Sequence, residues 1–328
     1  MDRAERDCGW RTGLGTCFYN RVEQARRIAG LLGKLSCIIL LGPRNVGKSE
    51  LARYTLIRVK RLQPVTVDAR RLLVRHAPPL PRELAERLVE VVAERAGLGR
   101  LIGLLREAAS LLKDRVVLVD EFHLLGGEPL KELEALCKAL TFYQEYRGWR
   151  LVATASGGRV LASRLDSKLV GYGAWIETVE GLDEAHMRGL HGEYREVRGC
   201  SIGFDAYWRL VGGAPGYLPE LCSLDRDGVR VWISRRIEEL VATLLEVMEP
   251  GESLRKVAEM AYALLVEEKP AISKRLLELG EKLTRSNIAY PVEGLRYRPQ
   301  LNVYRVIVEL WLERGQPPVP AEVYERIG

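Results

Sequence analysis

The chain has 328 residues, of which 47% are hydrophobic and 29% charged; this balance builds a globular core and excludes wholesale disorder or a fibrous fold. Its length predicts two or three domains at about 100–200 residues each. Fifty basic residues against 44 acidic ones leave a net charge of +6, too small an excess to argue for a nucleic-acid partner by itself. No apolar run, Cys37-Ile38-Ile39-Leu40-Leu41 among them, approaches the roughly 18 residues of a membrane span. The mixed-charge start Met1-Asp2-Arg3-Ala4-Glu5-Arg6-Asp7 lacks the apolar stretch of a secretory signal. A cytoplasmic protein that does not enter a membrane is expected. The six cysteines at 8, 17, 37, 137, 200 and 222 never form C-x-x-C, which argues against a zinc or dithiol site, so buried free thiols are expected.

In chain order, Phe18 to Ala25 leads into a helical pattern through Ile28 and Leu31-Leu32. Five short apolar or β-branched runs follow: Cys37–Leu41, Val65–Val67, Val116–Val119, Leu151–Ala153 and Trp175–Val179. Each is bounded by polar, Gly or Pro residues, as buried parallel strands are. Helical patterns separate them at Glu50–Leu62, Arg82–Ala96, Leu101–Lys113 and Leu130–Tyr146, with Pro81 and Pro129 where a first helical turn tolerates proline. Strands alternating with helices predict a doubly wound α/β domain over residues 1–182.

The strand signal then stops. Residues 183–228 read as a small helical piece punctuated by Gly212-Gly213-Ala214-Pro215-Gly216. Residues 229–328 show helical patterns at Val231–Val247, Leu254–Glu267 and Ile272–Leu283, then a hairpin pattern from Ile288-Ala289-Tyr290-Pro291 to Leu295-Arg296-Tyr297-Arg298. Three helices and a hairpin are the layout of a winged helix. This last region holds 15 basic and 15 acidic residues, so the whole positive excess lies in residues 1–228.

Gly42-Pro43-Arg44-Asn45-Val46-Gly47-Lys48-Ser49 matches the Walker A pattern G-x-x-x-x-G-K-S/T, between a strand and a helix as its mechanism requires. Its glycines let successive N–H groups turn inward onto phosphate oxygens, and the helix's positive end adds to the attraction. Lys48 is placed to contact the β- and γ-phosphates and Ser49 to ligate Mg2+. Val116-Val117-Leu118-Val119-Asp120-Glu121 puts two acids at the end of a buried strand. Asp120 suits Mg2+ through its water shell, and Glu121 suits a general base that polarises an attacking water. Leu151-Val152-Ala153-Thr154-Ala155-Ser156 ends a strand in hydroxyls, which makes Thr154 and Ser156 candidates for sensing the γ-phosphate or that water.

Four landmarks in this order resemble the archaeal ATPase family in the STAND branch of AAA+ P-loop proteins: Phe18-x-x-Arg21, the loop at 42–49, the acids at 116–121, and Gly212-Gly213-Ala214-Pro215-Gly216-Tyr217-Leu218. Leu295 to Pro299 with Val303–Leu312 resembles the family's wing and final helix. The resemblance implies an additional-strand, AAA+-like parallel sheet core with a helical lid and a C-terminal winged helix. It also implies ATP and Mg2+ as ligands, Glu121 as base, Pro215 at the adenine and Arg21 against the nucleotide. The chain departs from the family at Gln24-Ala25, at His123, and where a Gly-Arg pair is usual after the sensor strand. Arg159, Arg164 and Lys168 are therefore alternative arginine-finger candidates. His123, Arg26-Arg27 and Arg70-Arg71 read as surface or packing residues, and Tyr207-Trp208 as core.

A Mg-dependent ATPase working as a nucleotide-controlled switch with a protein partner follows from this pattern. The alternatives are an initiator-like AAA+ protein that grips DNA with its winged helix, and a nucleotide-binding interaction module without turnover.

Overall fold

The computed structural model describes residues 6–70, 73–75, 100, 103–104, 107, 114–124, 129–156, 170–267, 273–292 and 296–328. A short antiparallel hairpin opens the chain, β1 (Arg6–Arg11) and β2 (Cys17–Tyr19), and helix α1 (Val22–Leu32) follows. The central sheet is built from β3 (Cys37–Gly42), β4 (Val65–Asp68), β5 (Leu73–Arg75), β6 (Val116–Asp120), β7 (Arg150–Ser156) and β8 (Ala174–Thr178). Its strand order is β5-β4-β6-β7-β3-β8, with β4, β6, β7, β3 and β8 parallel and β5 antiparallel at one edge. Strand β7 thus lies between the strand that precedes the phosphate loop and the strand that carries the two acids.

Alternation of side chains along each strand divides the core. Cys37, Ile39 and Leu41 face α3 (Pro129–Phe142) through Leu133, Cys137 and Leu140. Ile38 and Leu40 face Ala25, Ile28 and Leu32 of α1 and Leu51 of α2 (Lys48–Arg53), in a cluster that continues without a break into the C-terminal helices.

After the sheet come α4 (Glu184–Arg198), α5 (Phe204–Val211) and α6 (Leu218–Cys222), then α7 (Arg226–Val247), α8 (Leu254–Leu265) and α9 (Lys274–Arg285). The hairpin of β9 (Ala289–Val292) and β10 (Arg296–Pro299) precedes α10 (Asn302–Arg314) and α11 (Pro320–Ile327). Among the described residues no helix is long and apolar enough to cross a membrane.

Several features depart from the sequence reading. The hairpin β1–β2 is unforeseen, because Arg6-Asp7-Cys8-Gly9-Trp10-Arg11 has no alternation and holds poor strand formers. Tertiary contacts hold it on the segment after the phosphate loop: Trp10 Nε1 donates to Glu50 at 2.7 Å, Tyr54 OH donates to Asp7 at 2.8 Å, and Phe18 stacks on Tyr54 at 4.0 Å. The segment expected as one helix is α-helical only to Arg53 and π-helical over Tyr54–Val59. The helices expected at Arg82–Ala96 and over most of Leu101–Lys113 lie outside the described residues.

The cysteines are not free: Cys8–Cys17, Cys37–Cys137 and Cys200–Cys222 are bridged, at sequence separations of 9, 100 and 22. Pairing depends on which elements the fold brings together, and spacing alone carries none of that. His191 Nε2 sits 3.5 Å from Cys200 Sγ, but sulfurs bonded to each other are not thiolate ligands for a metal.

Candidate functional site

Strand β3 is buried along its apolar length and delivers the chain to Gly42. A Cβ at Gly42 would lie 2.0 Å from the Val179 carbonyl oxygen, so only glycine fits where the loop leaves the sheet. Gly47, left-handed at φ 98, caps α2 and turns the loop back on itself. Lys48, 4% exposed, donates through Nζ to the carbonyls of Gly42 (3.1 Å) and Pro43 (2.6 Å) and to Ser156 Oγ (2.8 Å). Burial lowers its pKa to about 8, against the pull of Glu121 and Asp120.

The two acids are held from behind by the intervening strand. Ser49 Oγ donates to Asp120 Oδ1 at 2.6 Å, and Thr154 Oγ1 donates to the same oxygen while accepting the Glu121 N–H at 3.0 Å. Glu121 sits at φ 56, a left-handed conformation that costs a non-glycine residue about 1–2 kcal/mol. Its Oε1 accepts from Ser156 Oγ at 2.5 Å and from Arg70 at 3.0 Å, and its Oε2 accepts the Ser156 N–H at 3.1 Å. Burial pushes the Glu121 carboxyl up, yet Lys48, Ser156 and Arg70 outweigh it and leave the group below the usual carboxylate range.

These residues surround one cavity of about 410 Å³. Asn45, Val46, Gly47, Lys48, Ser49, Asp120 and Glu121 are among its polar and loop lining, and Leu14, Phe18, Leu182, Leu190 and Pro215 among its apolar lining. Gly42, Pro43, Arg44, Thr154 and Ser156 are not on the cavity wall, and all but Arg44 act on it through the bonds just given. Arg21 is buried and braces two regions, donating to the Val46 carbonyl at 2.6 Å and to the Glu180 carbonyl. Burial lowers its pKa to about 10. The donor set fits a polyphosphate with a hard divalent cation: one buried ammonium, and a hydroxyl facing a carboxylate at the start of α2.

Three residues without a sequence signal join this site. Arg70, expected as a solvated face, is ion-paired with Glu121. Glu193 on α4 accepts from the Cys17 N–H at 3.0 Å and from Tyr19 OH at 2.9 Å, tying the first hairpin to the helix beside the cavity. Gln300, with its amide oriented to satisfy both neighbours, accepts the Arg44 N–H at 3.0 Å and donates to the Asn287 carbonyl at 3.1 Å. The loop is also met by the Gly216 N–H, which donates to the Asn45 carbonyl at 2.9 Å. The arginine-finger candidates Arg159, Arg164 and Lys168 lie outside the described residues.

No family model matches the chain, and no curated protein does. Among solved structures it is similar to the Walker-type ATPase PABY2304 of Pyrococcus abyssi, with 18% identity over 88% of this chain and 95% of that one and a TM-score of 0.54. It is also similar to the ORC2 protein of Aeropyrum pernix, solved in ADPNP–ADP complexes, with 14% identity over 98% and 97% and a TM-score of 0.49, too low to carry weight. Likeness at this identity concerns the fold alone: the chain shares an α/β fold with that Walker-type ATPase, with the additional strand β7 between β3 and β6.

Proposed function

We propose that the chain is an ATP-binding, Mg2+-dependent ATPase that works as a nucleotide-controlled switch, in the archaeal ATPase family of the STAND branch. The carrying observation is the convergence of Lys48, the Ser49–Asp120 pair and Glu121 on the cavity that Pro215 also lines. In this reading the loop Gly42–Ser49 cradles the phosphates and Lys48 contacts the β- and γ-phosphates. Ser49 and Asp120 hold Mg2+, which when bound neutralises charge on the phosphates. Glu121 takes the proton of the attacking water, and Thr154 and Ser156 orient the two acids. Arg21 braces the loop, and Pro215 packs on the adenine. Residues 1–182 are the ATPase core, 183–228 its lid and 229–328 a winged-helix-like domain. The switch part rests on Gly216 and Gln300, which bind the loop backbone from the lid and from the last domain, so a shift of the loop is felt by both.

Two observations set this reading ahead of the initiator-like one. Arg209, the arginine nearest the Pro215 segment in sequence, donates to the carbonyls of Arg326 and Ile327 at the end of α11 and not into the cavity. The basic residues of α9 are matched by acids of the same domain: Arg275 with Glu249 and Glu252, Lys282 with Glu246, Arg285 with Glu281, Lys274 with Glu278. A DNA-gripping helix needs such charges for phosphates. The full chain is expected to bind duplex DNA with a shallow slope of log affinity against log salt. A slope near about −5, equivalent to six neutralised phosphates, lost in the Lys274→Ala/Arg275→Ala variant, would favour the initiator-like reading.

Steady-state phosphate release tests the enzyme assignment: wild type should release phosphate from ATP with Mg2+ and stop when the metal is chelated. ATP binding with no release above the spontaneous rate would make it an interaction module. For the base end, Pro215→Asp should weaken ATP much more than pyrophosphate, because the phosphate cradle is untouched. Equal losses for the two ligands would place the segment away from the adenine.

A further inference from the structure

We infer that Arg70 is a catalytic arginine supplied in cis, whose guanidinium contacts the γ-phosphate of bound ATP and so leaves Glu121 free to act on water; this rests on the ATPase reading above. The fold places Arg70 through the sheet. Strand β4 runs parallel to β6 with Asp68 opposite Asp120, and the Ala69 N–H donates to the Asp120 carbonyl at 3.0 Å, extending the ladder beyond the strand. The Arg70 N–H then donates to Asp68 Oδ1 at 3.1 Å, an Asx turn that bends the chain where β4 ends. The guanidinium lands 3.0 Å from Glu121 Oε1, on the wall of the cavity that Lys48, Ser49 and Asp120 line. Three hydrogen bonds connect it to the phosphate-loop lysine: Arg70 to Glu121, Ser156 to Glu121, and Lys48 to Ser156.

The exposures of the pair are unequal, 47% for Arg70 and 5% for Glu121. The arginine can therefore turn while the carboxylate stays put. If it turns, Glu121 keeps both bonds from Ser156 and loses only its bond from Arg70. A terminal phosphate carries more charge than one carboxylate and offers the guanidinium two oxygens in its fork geometry, so bound ATP competes well for Arg70. In the step that follows, the water oxygen forms a bond to the γ-phosphorus and the bond to the β–γ bridging oxygen breaks. Its electron pair stays on ADP, and the water proton passes to Glu121 and then to solvent. Arg70 balances the charge that spreads over the γ-oxygens. Nothing is oxidised or reduced.

The test uses the full-length protein with ATP, ADP and Mg2+. Arg70→Ala should lower kcat by roughly 10³-fold or more, as loss of an arginine at this transition state does. It should also weaken ATP binding by roughly 10-fold, the worth of one charge-assisted hydrogen bond, while ADP affinity stays at the wild-type value and shows that the site is folded. Arg70→Lys should recover most of the ATP affinity. Mixing Arg70→Ala with Glu121→Gln should restore no turnover, since each active site needs both residues from one chain. Equal losses for ATP and ADP, unchanged ATP affinity, or turnover restored by mixing would each overturn the assignment. Wild type that neither binds nor hydrolyses ATP would instead remove the ATPase reading itself.

Discussion

Lys48→Ala is expected to weaken ATP by roughly 10²–10⁴-fold, because two charge-assisted hydrogen bonds at about 1.5–3 kcal/mol each are lost. Lys48 is almost wholly buried, and its ammonium is held by the Gly42 and Pro43 carbonyls and by Ser156. These partners fix the charge at the mouth of the loop, so its cost of ordering is already met before a ligand arrives. Two carbonyl oxygens and a hydroxyl satisfy the ammonium less well than phosphate oxygens, which bring opposite charge into a partly desolvated site. Titration calorimetry of wild type and variant is the measurement, and equal ATP affinity in both would remove the phosphate site from this loop.

Glu121→Gln is expected to leave ATP affinity near that of wild type and to slow hydrolysis by roughly 10²–10⁴-fold, the usual worth of a positioned general base. Glutamine has the same length, and its oxygen can still accept from Ser156, so the local structure survives. What it lacks is a carboxylate able to take a proton. Lys48, Ser156 and Arg70 hold the Glu121 carboxyl below the usual range in spite of burial, so the group is ionised and free to accept a proton at neutral pH. Phosphate release under saturating ATP provides the readout. Unchanged turnover would place the base elsewhere, and His123, with Nδ1 3.6 Å from Glu121 Oε2, is the next residue to substitute.

The parallel strands were legible in the sequence, because each needs a continuous apolar run to be buried on both faces. Cys37–Gly42, Val116–Asp120 and Arg150–Ser156 contain the three matching expected runs. That Lys48, Ser49, Asp120 and Glu121 meet at one cavity was legible too, since a Walker A loop and a strand-end acid are local patterns tied to the elements around them. The three helices and the hairpin after residue 229 followed from periodicity in the same way.

What joins distant segments was not legible. Arg70 looks like one of two solvated arginines until β4 pairs with β6 and brings it against Glu121, 51 positions away. The first hairpin has no strand pattern and is held by Glu50, Tyr54 and Glu193, residues on three other elements. Gln300 bonds the loop backbone at Arg44, a contact that no side-chain motif encodes. The cysteine pairing belongs with these, since Cys37 and Cys137 meet only because α3 packs across β3. Periodicity and motifs record what each segment does with its own neighbours and with solvent. Ion pairs, backbone bridges and disulfides between segments depend on register and packing direction, which only the assembled sheet and the helices against it decide.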